Sequence, residues 1–191
     1  MDSKELILRR IRSAAVTPAL HKRVPVEKRP ASLEAFVERV EDYRATVYRT
    51  TRNDIESLLA TLCENKQCLT PEQFDFFIFP AQSDKDYSHA DLALFDTTIT
   101  MCAVGIEESG TIVLDSGPDQ GRRAITLIPD HHICIIRADQ IVATLEEALQ
   151  RLDPTRPLTF ISGPSATSDI ELVRVEGVHG PRKLEVILLE D

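Results

Sequence analysis

Three adjacent pairs of chemically active side chains stand out in this chain: Glu107-Glu108, Arg122-Arg123 and His131-His132. The two carboxylates come directly before Ser109-Gly110, at a strand junction. Glu108 is a candidate to face a site as base, ligand anchor or nucleophile. The alternative for Glu108, and the favoured reading for Glu107, is a hairpin charge or a structural hydrogen-bond acceptor. A guanidinium where a loop enters a strand suits bidentate binding of a carboxylate or phosphate. Arg122 and Arg123 hold that position, and sequence does not choose between them. His131 and His132, beside Asp130, invite a metal. Neighbouring residues of a strand point to opposite faces, however, so the two imidazoles do not easily share one ion. A further ligand would have to come from His179. No metal is expected; such a histidine is a polar residue bordering a ligand, for which His132 is the candidate, or a buried one satisfied by a backbone carbonyl.

A second kind of chemistry is suggested by Leu158 to Arg182. Leu158 to Ile161 reads as a short buried strand running into Ser162-Gly163-Pro164, where Gly163 permits a turn and Pro164 disfavours helical angles before it. Ser165, Thr167 and Ser168 then bring hydroxyls to an expected helix start. Ser168 with Glu171 has the spacing of a capping box. Free amides and hydroxyls at such a turn suit a phosphate or carboxylate, or they simply cap the helix. Gly177 ends the segment, and His179-Gly180-Pro181 turns the chain, placing His179 where it can approach a ligand or serve only as a turn residue.

Gly163-Pro-Ser-Ala-Thr-Ser-Asp-Ile-Glu171 with Gly177-Val-His-Gly-Pro181 resembles the signature of the lactate utilisation protein C family, the LUD-domain proteins. Val104-Gly-Ile-Glu-Glu-Ser-Gly-Thr-Ile112 and Leu127-Ile-Pro-Asp-His-His-Ile133 agree with it, so the matching segments span Thr98 to Leu189. The resemblance implies the architecture shared by sugar-phosphate isomerases, coenzyme A transferases and formyltetrahydrofolate cyclo-ligase. It also implies a part in oxidising L-lactate to pyruvate beside two iron–sulfur partner proteins. Glu108 falls on the glutamate of the family's Glu-Ser/Thr-Gly-Thr pattern, and one of Arg122 and Arg123 on its arginine.

The elements that must position these residues alternate in type. Ser3 to Ile11 has a helical apolar pattern, and Thr17 to Pro30 is a proline-containing basic connector. Ser32 can cap a helix with Phe36, Val37, Val40 and Tyr43 on one side. Strands are expected at Thr46–Thr50, Phe74–Phe79, Ile99–Ile106, Thr111–Leu114, Ala124–Ile128, Ile133–Ile136 and Lys183–Leu189, with the clearest helix at Ala138–Leu152. This predicts a single α/β domain over residues 31–191, a mostly parallel open sheet flanked by helices, preceded by an N-terminal helical arm and linker over residues 1–30. Ligands in such sheets sit beyond the carboxyl ends of the strands.

Charge narrows the function. Residues 1–53 hold 12 basic and 7 acidic residues, a net of +5; the rest holds 22 − 12 = 10 basic and 31 − 7 = 24 acidic, a net of −14. An overall −9 argues against general nucleic-acid binding, which needs a basic surface. The basic arm gives a docking element for an acidic partner or for a second copy in a homo-oligomer, or else a solvated face. The four cysteines have no cluster or zinc spacing, and no apolar run is long enough to span a membrane, so a cytoplasmic chain with reduced thiols is expected. The residues and the resemblance together point to an accessory or substrate-handling component of a cytoplasmic L-lactate oxidation system. It would bind a small anion through Gly163, Ser165, Thr167, Ser168 and Arg122 or Arg123, with Glu108 and His179 bordering, hold no cofactor, and work with iron–sulfur subunits. The alternative is a free-standing enzyme on a small anionic or coenzyme A-linked substrate, with Glu108 as nucleophile or base.

Overall fold

His-His-Ile-Cys-Ile-Ile-Arg (131–137) and Lys-Leu-Glu-Val-Ile-Leu-Leu (183–189) place aliphatic groups on both alternating sets of positions, the pattern of parallel strands covered on both faces. In the computed structural model, which describes residues 3–14, 28–74, 80–167, 175–177 and 179–190, both runs lie in the middle of the main sheet.

The chain begins with α1 (Ser3–Ser13), an exposed helix with none of its residues buried. α2 (Leu33–Asp42) starts at Ser32, whose hydroxyl accepts from Ala35 N at 3.1 Å, and leads into β1 (Thr46–Thr50). There follow α3 (Ile55–Leu62), β2 (Cys68–Thr70), β3 (Gln82–Ser83), α4 (His89–Leu92) and β4 (Thr97–Met101). The path then leaves the main sheet for the hairpin β5 (Val104–Ile106) and β6 (Thr111–Leu114) and returns as β7 (His131–Arg137). It crosses again through β8 (Ile141–Val142), α5 (Leu145–Arg151) and β9 (Thr159–Ile161). The short antiparallel pair β10 (Ala166–Thr167) and β11 (Val175–Glu176) precedes β12 (Lys183–Leu189).

The main sheet has six strands in the order β1-β12-β7-β4-β2-β3, every pairing parallel. A second sheet of four strands runs β8-β5-β6-β9. Ile133, Ile135, Ile187 and Leu189 face α3, packing on Ile55 and Leu59. Cys134, Ile136, Val186 and Leu188 face the other way, onto Phe36 and Val40 of α2 and Ile112 and Leu114 of the second sheet. The far face of that sheet is closed by Ala148 and Leu152 on Val104, Ile106 and Val113. The α/β fold with a mostly parallel sheet flanked by helices is therefore as read from the sequence.

Several local readings need correction. Ala124–Ile128 is not a strand: Arg123–Thr126 forms one 3-10 turn, with Ile125 packed into the cluster of Leu69, Leu92 and Phe95. β7 is already flanked by β12 and β4, and β4 by β2, so no edge is open to another strand there. Ala138–Leu152 is not one helix. Ile141 and Val142, both β-branched, add to β5 as a strand, and Thr144 caps the shorter α5 by accepting from Glu147 N at 3.3 Å. The apolar stripe consequently splits: Ile141, Val142 and Leu152 are buried, whereas Leu145 and Leu149 are exposed. Ile99–Ile106 contributes to two sheets, as β4 and β5. Of the aromatic run, Phe74 packs against the α3-side cluster, and residues 75–79 lie outside the described residues.

Candidate functional site

Two Gly-Pro loops are laced together by one serine. Ser165 N donates to Pro181 O at 2.8 Å, Gly177 N donates to Ser165 O at 3.0 Å, and His179 N donates to Ser165 Oγ at 3.2 Å. Gly163 sits at φ +99°, and a Cβ there would come within 2.6 Å of Tyr43 O, so any side chain would push the loop off the end of α2. Leading into this loop, Ser162 Oγ contacts Thr111 Oγ1 at 2.7 Å and so ties the loop to the second sheet.

Between these loops and the main sheet lies a cavity of about 240 Å³. Its wall includes Arg123, His132, Gly163, Ser165 and His179, together with apolar groups such as Leu127 and Leu184. The fold thus brings together five residues that the sequence marked separately. The cavity opens at the amino ends of β7 and β12, where His132 and Leu184 are the second residues, and beyond the carboxyl end of β9. The expectation of a site at the carboxyl ends of the main-sheet strands needs revision for this pocket. The carboxyl ends of β4 and β7 run on into β5 and β8 of the second sheet within a few residues.

The adjacent pairs divide sharply. Arg122 is committed: Nε and Nη2 donate to Asp84 Oδ2 and Oδ1 at 2.6 and 2.9 Å, and Nη2 also donates to Tyr87 O at 2.7 Å. That pairing holds the Asp84 carboxyl below its ordinary range. Arg123, one residue on and exposed, has no hydrogen bond or ion pair from its guanidinium among the described residues. Its side chain forms the wall shared with a larger cleft of about 570 Å³ that Glu72, Asp84, Asp86 and Arg156 also line. In that cleft Arg156 is tied to Asp115 at 2.7 Å, so its cations other than Arg123 are already spent.

The histidines lie on opposite faces of β7. His132 is 1% exposed and contacts Thr100 Oγ1 through Nε2 at 2.8 Å. Burial, with His131 close by, pushes it down to about 3, so the ring is neutral in the physiological range. His131 faces α3, with Nδ1 3.0 Å from Thr97 Oγ1 and Nε2 2.8 Å from Glu185 Oε2. Asp130 pairs with Arg182. Among the described residues, no group of three or more His, Cys, Asp or Glu side chains is placed to hold a metal ion.

Glu108 does not border the cavity. Its Oε1 accepts from Leu145 N at 2.8 Å, where an acceptor satisfies an amide of the first turn of α5. Glu107 is buried and accepts from Arg29 at 2.8 and 2.9 Å and from Ser32 N at 2.8 Å. The Arg29 contact leads in holding its carboxyl low, and it fastens the segment before α2 to the second sheet. Ser165 and Thr167 do not open a helix: residues 166–167 pair with 175–176 as a ladder. Ser168 and the expected capping box with Glu171 lie outside the described residues. Sequence reasoning missed Thr100, the partner of His132. Its signal was present, since Thr97, Thr98 and Thr100 put hydroxyls into a fully buried strand, where each must find a partner.

Residues 72–189 match the LUD domain family model. The chain belongs to the LUD domain family. It is 43% identical to a protein of Deinococcus radiodurans named lactate utilization protein C, over 82% of this chain and 79% of that one. A Shouchella clausii protein of the same name is 36% identical over 57% of this chain, which spans 49% of that relative's length. The crystal structure of a DUF162 family protein from Deinococcus radiodurans superposes with a TM-score of 0.72 and 37% identity, covering 82% of this chain and 95% of that one. The LUD domain match contains every lining residue of the cavity. α1 and α2 precede the matched residues.

Proposed function

We propose that this chain is the small-carboxylate-handling component of an L-lactate utilisation system, working in the cytoplasm beside iron–sulfur partner proteins that take the electrons. The relatives' names support the system. One observation carries the ligand class: an uncommitted Arg123 guanidinium on the wall of the cavity, next to an Arg122 that is committed to Asp84. Among the described lining residues Arg123 is the sole Lys or Arg, which matches a monoanion, and Leu127 and Leu184 give a short aliphatic group somewhere to rest. Glu108, spent on α5, is not available as a nucleophile in this cavity.

Calorimetric titration with L-lactate and pyruvate tests the proposal. Arg123→Ala should weaken binding about 10- to 100-fold, the value of a charge-assisted hydrogen bond. Arg122→Ala should lower stability and leave affinity within about threefold, since its contact is to Asp84. Absence of binding by the wild type, or equal loss in both variants, would overturn it.

A further inference from the structure

We infer that the cavity selects carboxylates bearing an oxygen on the carbon next to the carboxylate, with Arg123 holding the carboxylate and His132 Nδ1 reading that oxygen. The inference rests on the small-carboxylate reading above and adds to it the residue that discriminates among such ligands. His132 stands on the cavity wall in a seat that leaves the ring little room to turn, since it is almost wholly buried. Its Nε2 is engaged by Thr100 Oγ1 at 2.8 Å. Nδ1 has no partner among the described residues and is not among the buried atoms left without one, so it is the ring nitrogen open to the cavity.

The Thr100 hydroxyl is what makes this nitrogen adaptable. A hydroxyl both donates and accepts, and a neutral imidazole carries its proton on either nitrogen. With Nε2–H donating to Thr100 Oγ1, Nδ1 is an acceptor and suits the hydroxyl of a 2-hydroxy acid. With the Thr100 hydroxyl donating to Nε2, Nδ1–H is a donor and suits the carbonyl of a 2-oxo acid. The same seat then serves both oxidation states of one carbon skeleton without moving a side chain. Thr100 makes no other hydrogen bond through Oγ1 among the described residues, so nothing fixes the hydroxyl in one sense. The neighbouring His131 and its partner Glu185 lie on the opposite face and do not compete for this nitrogen.

The test compares L-lactate, pyruvate and propionate, which lacks the second oxygen, on the full chain. Lactate and pyruvate should bind with similar affinity and about tenfold more tightly than propionate, the difference one buried hydrogen bond makes. In His132→Phe the preference for lactate and pyruvate over propionate should disappear. Nitrogen-15 spectra of the wild-type imidazoles give a readout independent of any variant: Nδ1 of His132 should be unprotonated in the lactate complex and protonated in the pyruvate complex. Propionate binding as tightly as lactate, or one tautomer in both complexes, overturns this inference and leaves the carboxylate site standing. Failure of all three acids to bind overturns both.

Discussion

The amino end of the main sheet shows two opposite uses of buried polar groups. Facing α3, His131, Glu185, Thr97, Tyr48 and Lys183 close on one another. Glu185 takes His131 at 2.8 Å on one oxygen, and on the other Lys183 at 2.7 Å and Tyr48 at 3.2 Å. Burial pushes the Glu185 carboxyl up, but contact with His131 and Lys183 outweighs it and holds it at about 2. Facing the second sheet, His132 has one hydrogen-bond partner, Thr100, and lines a cavity whose cation, Arg123, is unpaired among the described residues. The first face is held by ion pairing around Glu185, although the His131 Nε2–Glu185 Oε2 contact lacks hydrogen-bond geometry; the second carries an unpaired cation that a ligand can complete.

The largest effect is expected at Glu185. Glu185→Ala strips the ion partner from Lys183 and His131 and leaves a cavity, and should lower stability in urea by about 3 kcal/mol. That is the low end for breaking a buried pair, since Lys183 Nζ can rehydrate. Carboxylate binding by the folded variant should be unchanged, and its loss would mean that the two faces are coupled.

Acid unfolding should separate the faces next. His132 has a folded value of about 3 against the usual 6.5. The unfolded chain therefore binds the extra proton between these pH values, and stability falls as pH drops below about 6.5, by about 2–3 kcal/mol at pH 4.5. Glu185 has the opposite origin: its contribution is complete above the usual 4.5 and is lost as pH falls toward about 2. Chemical denaturation across pH should show the first phase disappear in His132→Phe and the second in Glu185→Gln. A single phase that both variants abolish would contradict the separation. The smallest effect is expected at Tyr48→Phe, which removes one partly buried hydrogen bond and should cost about 0.5–1 kcal/mol with no change in ligand affinity.

Much of this was legible beforehand, for reasons that are local. Two-sided apolar runs predict the buried parallel strands because covering layers on both faces demand them, and β7 and β12 comply. Ser32 predicts its helix start because capping needs nothing beyond the next turn. Gly163-Pro164 predicts a turn because the constraint lies in its own backbone. Where the readings failed, a neighbour distant in sequence had intervened. Ile141 and Val142 fit a helical stripe until β5 offers them an edge, and Ala124–Ile128 looks like a strand until Leu69, Leu92 and Phe95 take up Ile125 from a 3-10 turn.

The doublets mark the boundary most clearly. The sequence by itself identified Glu107-Glu108, Arg122-Arg123 and His131-His132 as the places where chemistry could reside, because residue type and junction position are local properties. Only the tertiary structure decided that Glu108 caps α5, that Asp84 takes Arg122, that Glu185 takes His131, and that Arg123 and His132 remain for the cavity. Adjacent side chains diverge from the backbone in different directions, and the direction that becomes a site is set by the layer packed against it. That layer is assembled from residues tens of positions away, so no local pattern contains the choice.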